Sequence, residues 1–119
     1  LDALEHFRAS LLRHPEHVPS LLGLADALAL LGRVDEAKAG YQKALSVQPA
    51  SPEAHRNLGF LVLQLGELVA AEASLRAALK LAPDERDAHG ALAEVLRRRG
   101  RMQEAAIHEA AAARPPQTR

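Results

Sequence analysis

Residues 52–85 read PEAHRNLGFLVLQLGELVAAEASLRAALKLAPDE, and the chain writes this unit more than once. Leu58-Gly59 and Gly66 have counterparts 34 residues earlier in Leu24-Ala25 and Gly32, and 34 residues later in Leu92-Ala93 and Gly100. Ala71 and Ala78 recur in the same way as Ala37 and Ala44, and as Ala105 and Ala112. A fixed period of this length marks a repeat array rather than a globular domain with one core. Such arrays present extended surfaces to partners and rarely carry chemistry.

Each unit predicts two helices. The first runs up to its glycine, over about 18–31, 52–65 and 86–99, and the glycine suits a left-handed residue just past a helix end. The second covers about 34–47, 68–81 and 102–113. Pro49 and Pro83 stop it, because proline disfavours helix at the residue before it. Ser51-Pro52-Glu53 is a helix start: the serine caps free amides, proline suits the first turn, and the carboxylate meets the positive helix end. In the first helix of the central unit Leu58, Val62 and Leu65 form one apolar stripe, and Ala71, Leu75, Ala78, Leu79 and Leu81 form the surface facing it. One hairpin cannot cover both its faces, so stacking on the next hairpin closes the core.

Residues 1–17 fall into the same frame as a second helix: Ala3 matches Ala37, Phe7 matches Tyr41, Ser10 matches Ala44 and Pro15 matches Pro49. The expected organisation is a single array, with 1–17 the second helix of a truncated leading repeat, 18–51 and 52–85 two full repeats, 86–113 the helices of a third, and 114–119 a tail or linker. Because the first residue is Leu1 rather than Met, the chain is expected to be a fragment of a longer protein.

Composition narrows the class. Hydrophobic residues make up 48% but aromatics only 3%, so the core is expected to be Leu, Val and Ala, which suits closely packed helices. Lys and Arg number 15, as do Asp and Glu, giving zero formal net charge, without the basic excess that phosphate binding favours. No nucleic-acid partner is expected. No run of 18 apolar residues predicts a membrane span, so no membrane partner is expected either. Cysteine is absent, which removes disulfides and thiolate metal sites but does not fix the compartment.

The pattern resembles the tetratricopeptide repeat, a 34-residue helix-turn-helix unit. The first unit supplies Leu21, Leu24, Ala25, Leu28, Ala37, Tyr41, Ala44 and Pro49, and the second His55, Leu58, Gly59, Val62, Ala71, Leu75, Ala78 and Pro83. The third supplies His89, Leu92, Ala93, Leu96, Ala105, Glu109 and Ala112. Three departures stand out. His55 and His89 replace a large aromatic, Glu109 stands where Tyr41 and Leu75 put bulk, and the closing proline slips to Pro115-Pro116. A charge buried unpaired at the place of Tyr41 is costly, so no further unit is expected to stack there and the array is expected to end near Ala113. The resemblance implies an all-α fold: a right-handed superhelical array of antiparallel helix pairs, a tetratricopeptide-like solenoid, here with seven helices.

Chemistry has little foothold. The six histidines form no i, i+4 pair with a carboxylate between, and His55 and His89 read as half-buried packing residues rather than metal ligands. The serines lie in helices or caps, without the strand-turn-helix elbow of a nucleophile, and the glycines stand singly rather than in a phosphate loop. Catalytic residues, metal and cofactor are all expected to be absent. Arg97-Arg98-Arg99-Gly100-Arg101 could grip phosphate or an acidic peptide, but reads first as a solvated last turn at the negative helix end.

The resemblance also implies that the first helix of each unit lines a concave face where partners, often peptides, bind. The groove residues expected on that basis are Leu22, Asp26, Arg56, Asn57, Phe60, Gln64, Glu94, Arg97 and Arg98. Phe60 reads equally as a partner anchor or as packing, and the Asn57 amide suits a peptide backbone. One subfamily clamps acidic C-terminal tails of chaperones with Lys, Asn and Arg. The matching places hold Leu22, Asp26, Asn57, Asp87 and Ala91, so only Asn57 fits, and Asp26 and Asp87 would repel a carboxylate. A second subfamily lines its groove with an asparagine ladder, broken here by Gly23 and Ala91.

The expected function is a protein–protein interaction scaffold that takes a peptide or partner helix in the concave groove. The alternative is a substrate-docking or regulatory repeat segment of a larger multidomain enzyme. End-to-end self-association is expected through the truncated N-terminal face, where Leu4, Phe7 and Leu11 lie.

Overall fold

Local signals in the chain account for the helix bounds. In the computed structural model, which describes residues 2–115, seven helices follow one another and the described residues hold no strand. They are α1 (Ala3–Arg13), α2 (Val18–Leu30), α3 (Val34–Val47), α4 (Pro52–Gln64), α5 (Leu68–Leu81), α6 (Arg86–Arg98) and α7 (Met102–Ala113). Asp2 caps α1 by accepting the Glu5 amide at 2.9 Å, and Ser51 caps α4 by accepting the Ala54 amide at 3.1 Å. Of the tail expected over 114–119, Arg114 is extended and residues 116–119 lie outside the described residues.

The turn inside each pair is the same device three times. At Gly66 φ is +76°, a left-handed value that L side chains resist. Around it the Glu67 amide donates to the Val62 carbonyl and the Gly66 amide to the Leu63 carbonyl, both at 2.9 Å, which satisfies the last free carbonyls of α4. Gly32 and Gly100 repeat the conformation.

The packing order defines the shape. Each helix packs on its neighbours in sequence, and in addition α2 touches α4 and α4 touches α6. Among the described residues α3, α5 and α7 make no such approach to one another. First helices therefore crowd together on one side while second helices splay on the other, so the array curves with α2, α4 and α6 inside. The Cα radius of gyration of 15.3 Å exceeds the roughly 13 Å of a compact chain this long, as an open array requires.

Two apolar clusters fill the interior. One gathers Leu21, Leu22, Ala25, Leu28, Ala37, Tyr41, Ala44, Ala54 and Leu61. The other is built on Val62, Leu63, Ala71, Leu75, Leu92, Val95 and Leu96. Leu58 packs against both. Small residues set the helix spacing: a Cβ at Gly59 would lie 2.8 Å from the Leu75 side chain, so α5 rests directly on the α4 backbone.

Several expectations need correction. Leu65 is 43% exposed and Leu81 42%, so neither belongs to the buried stripe. Leu65 is the residue where α4 ends, already turning outward into the glycine loop. Leu58 is half-buried, whereas Leu61 and Leu63 are buried. A first helix is covered by its own partner and by the next pair, so its buried arc is wider than one stripe. Leu4, Phe7 and Leu11 are half-buried, with Leu4 and Leu11 packed on the first cluster and the Phe7 ring lying on Gly23 of α2. They are therefore only partly open; among the described residues Leu12, 86% exposed, is the most open large apolar side chain of α1. Glu109 avoids the burial cost of its position by staying exposed and pairing with Arg97.

Candidate functional site on the concave face

Facing side chains of α2 and α4 enclose an open depression of about 440 Å³. Five of the expected groove residues border it, namely Asp26, Arg56, Asn57, Phe60 and Gln64. Ala29, Leu30, Tyr41, Glu53 and Leu61 complete its walls.

A chain of polar contacts holds this surface. The Tyr41 hydroxyl of α3 donates to Asp26 Oδ1, which also accepts from Asn57 Nδ2 at 3.2 Å. Arg56 Nε donates to Asn57 Oδ1 at 3.2 Å, and Arg56 Nη1 reaches Glu85 Oε2, at the start of α6, at 3.1 Å. The network thus ties three successive helix pairs together. Burial, the hydrogen bond to Asp26, and then the charges of Asp26 and Glu53 push the Tyr41 phenol well above its usual pKa, so it stays a donor. The Asn57 amide, expected to face a peptide backbone, is partly engaged already; one of its two N–H groups goes to Asp26.

Phe60 lies between packing and solvent. Half-buried, it packs against the second apolar cluster and still borders the depression. Gln64 is exposed. Leu22 departs from expectation, since it is buried at 6% exposure in the first cluster. Its rim touches a neighbouring shallow depression shared with Phe7, Pro19, Asp26 and Glu53. Glu94, Arg97 and Arg98 do not border the α2–α4 depression. Arg97 turns to Glu109 on α7, and Arg98 sits 3.5 Å from Glu94 on its own helix.

The basic run at 97–101 is committed to ion pairs. Arg99 reaches Glu72 of α5 at 2.5 Å, and Arg101 reaches Glu72 at 3.1 Å and Glu104 at 2.7 Å. Arg76 joins Glu72 at 2.9 Å and also pairs with Glu104. Burial opposes the charge on Glu72, but hydrogen bonds from Arg76 and Arg99 with the field of Arg101 outweigh it and hold the carboxyl below its usual range. The hydrogen bond from Arg76 does the same for Glu104. Sequence reading missed this cluster, because the contacts that join its local pairs, Glu72–Arg76 and Arg101–Glu104, span 27 to 29 residues and form only when helix pairs stack.

The histidines have local work. His55 Nε2 lies 2.9 Å from the Pro49 carbonyl, and His89 Nε2 lies 2.7 Å from that of Pro83, so each latches its helix to the preceding loop. A carbonyl only accepts, so His89 donates to it from Nε2, while its Nδ1 lies 3.0 Å from His108 Nδ1. The rings stack with centroids 5.2 Å apart. Burial, then His89 and Arg76, push the His108 pKa down against the pull of Glu104. Ser20 Oγ lies 2.7 Å from both His17 Nδ1 and Ser10 Oγ, a serine–histidine contact the spacing did not reveal. Ser20 is buried, so this hydroxyl packs α1 onto α2 rather than meeting a substrate. Among the described residues no group of three or more His, Asp or Glu side chains is arranged to hold a metal, and no helix is long and apolar enough to cross a membrane.

Comparison with known proteins fits this geometry. A TPR repeat family model matches residues 25–66, and a Tetratricopeptide repeat model matches residues 1–44 and 63–118. No curated protein matches closely enough to count as a relative. Among solved structures, a crystal structure of MamA superposes with a TM-score of 0.84 at 24% identity, over 92% of this chain and 64% of that one. A structure of MamA AMB-1 superposes with a TM-score of 0.79 at 28% identity, over 92% of this chain and 60% of that one. The chain therefore spans 60–64% of the length of these two MamA chains. Repeats of this kind generally mediate protein–protein contacts, which supports an interaction scaffold in general. With its model matching most of the residues, the chain belongs to the tetratricopeptide repeat family.

Proposed function

We propose that this array binds a protein ligand, as an extended peptide or a partner helix, along its concave face, and that the repeats themselves carry no catalysis. The α2–α4 depression is the centre of the site, with Asp26, Arg56, Asn57, Phe60 and Gln64 in contact with the ligand. The observation that carries the reading is Phe60 bordering an open depression beside Leu30, which is 90% exposed. An aromatic next to an exposed aliphatic on a preformed surface is the composition of an interface anchor. The polar network from Tyr41 to Glu85 supports it by holding that surface rigid before a ligand arrives, which lowers the ordering cost of binding.

The test is a pulldown and a thermal melt on Phe60→Ala with Asn57→Ala. Because Phe60 is half-buried, the double variant is expected to lose about 1–2 kcal/mol of stability yet remain folded, while its captured partners largely disappear. Ile107→Ala, on the exposed face of α7, serves as the control that keeps binding. If the double variant loses most of its stability and binds in proportion to what stays folded, Phe60 is a packing residue and the site is wrong.

A further inference from the structure

We propose that the α2–α4 depression selects a basic ligand: an extended peptide that sets a lysine or arginine between Asp26 and Glu53 and an apolar side chain against Phe60 and Leu30. The inference rests on the concave-face reading above and adds the chemistry of its partner.

Charge complementarity carries it. Asp26 and Glu53 border the same depression, and both also border the shallow one beside it, so they stand at the middle of a continuous surface. Among the described residues neither has a lysine or arginine within ion-pair distance. The partners of Asp26 are neutral donors, the Tyr41 hydroxyl and the Asn57 amide. Among the described residues the one cation bordering the depression, Arg56, is drawn off to Glu85 at 3.1 Å. The local balance is thus negative, in a chain whose formal net charge is zero. Several other acids are neutralised within the array: Glu36 pairs with Arg33, Glu67 with Lys38, and Glu72 with three arginines. Asp26 is half-buried, so its unneutralised charge gains from a cation brought by a ligand.

The apolar walls fit the same occupant. Lysine and arginine carry aliphatic stems that lie along apolar surface while the charged head seeks a carboxylate. The face of Phe60 attracts a cation in its own right. An acidic segment would instead meet Asp26 and Glu53 head on.

The test is fluorescence anisotropy with three labelled nonapeptides that alternate leucine with lysine, glutamine or glutamate. The lysine–leucine peptide is expected to bind about tenfold more tightly than the glutamine–leucine one, with the glutamate–leucine peptide weakest, and added salt should narrow the gap. Asp26→Asn with Glu53→Gln keeps the hydrogen-bond acceptors and should bring the ratio of lysine–leucine to glutamine–leucine affinity down to about one, whatever it does to the affinity of the glutamine–leucine peptide itself. Should that pair fail to fold, Glu53→Gln alone, at an exposed position, must still reduce the preference. Equal binding of the lysine and glutamate peptides, an unchanged preference in the carboxamide variant, or no saturable binding of the lysine peptide overturns the inference. If charge proves irrelevant but Phe60→Ala abolishes binding, the groove reading survives. If Phe60→Ala changes nothing, the groove reading falls as well.

Discussion

The close approach of α4 and α5 gives a quantitative test of the packing. Leu75 is fully buried, and a Cβ built on Gly59 would lie 2.8 Å from its Cγ and Cδ2 and 3.4 Å from Ser74 Cβ. Leu75→Ala removes three carbons from the core; at about 0.8 kcal/mol each the transfer loss is about 2.4 kcal/mol, and the cavity left behind brings the total to about 3–4 kcal/mol. Gly59→Ala gains about 1 kcal/mol of helix propensity but forces Leu75 aside, an overpacking cost of about 1–3 kcal/mol. Its net effect is therefore near zero to about 2 kcal/mol of destabilisation. The two changes compete for one space. With both present the new methyl enters the volume Leu75 vacates, so the double variant should lose about 1–2 kcal/mol less than the sum of the singles. Urea unfolding of the four proteins, followed by far-ultraviolet circular dichroism, measures this. Losses additive within about 0.5 kcal/mol, or a Gly59→Ala variant stabilised by the full propensity gain, would refute the contact between Gly59 and Leu75.

Leu58→Asp places a carboxylate where both apolar clusters meet and should cost more than about 3 kcal/mol, unfolding the array or its middle; an unchanged melting temperature would show that Leu58 joins nothing. Stability should also fall with acidification in two stages. His108 has a depressed folded-state pKa, so the unfolded chain takes up its proton first and stability is lost as pH drops below 6.5. Glu72 and Glu104 are held below 4.5, so their contribution is present above that value and disappears as pH falls beneath it. Melting temperatures from pH 8 to 3 check both stages: His108→Gln should flatten the first, and Glu72→Gln should flatten part of the second while lowering stability at neutral pH.

Much of the architecture was legible because its signals are local. Pro49, Pro83 and the repeated glycine act within a few residues, so in the three full units the expected ends of the second helices coincide with the observed ones and those of the first differ by one residue, whereas the leading helix, expected over 1–17, is Ala3–Arg13. Burial was less legible. A stripe drawn from Leu58, Val62 and Leu65 assumes one covered face, whereas α4 is covered from two directions, which buries Leu61 and Leu63 and leaves Leu65 outside. Leu22 was misread for a related reason, since α1 lays Phe7 on Gly23 and closes that flank of α2. The candidate site was legible as a face but not as a network. The resemblance put Asn57, Phe60 and Gln64 together on the face of a first helix, yet nothing in the linear text tells that Arg56 is held by Glu85 or that the arginines of 97–101 all meet carboxylates.

The unequal spacing of inner and outer helices bears on mechanics. Bending a stack changes distances least where its layers touch and most where they are already apart. Here the inner helices touch one another, while the outer ones can fan open or close without tearing contacts between themselves. The softest deformation of this molecule is thus a change of curvature, like a leaf spring clamped along one side. On the proposed concave-face reading, that change of curvature would let the groove accept ligands of different girth while the side chains along the inner helices keep their order.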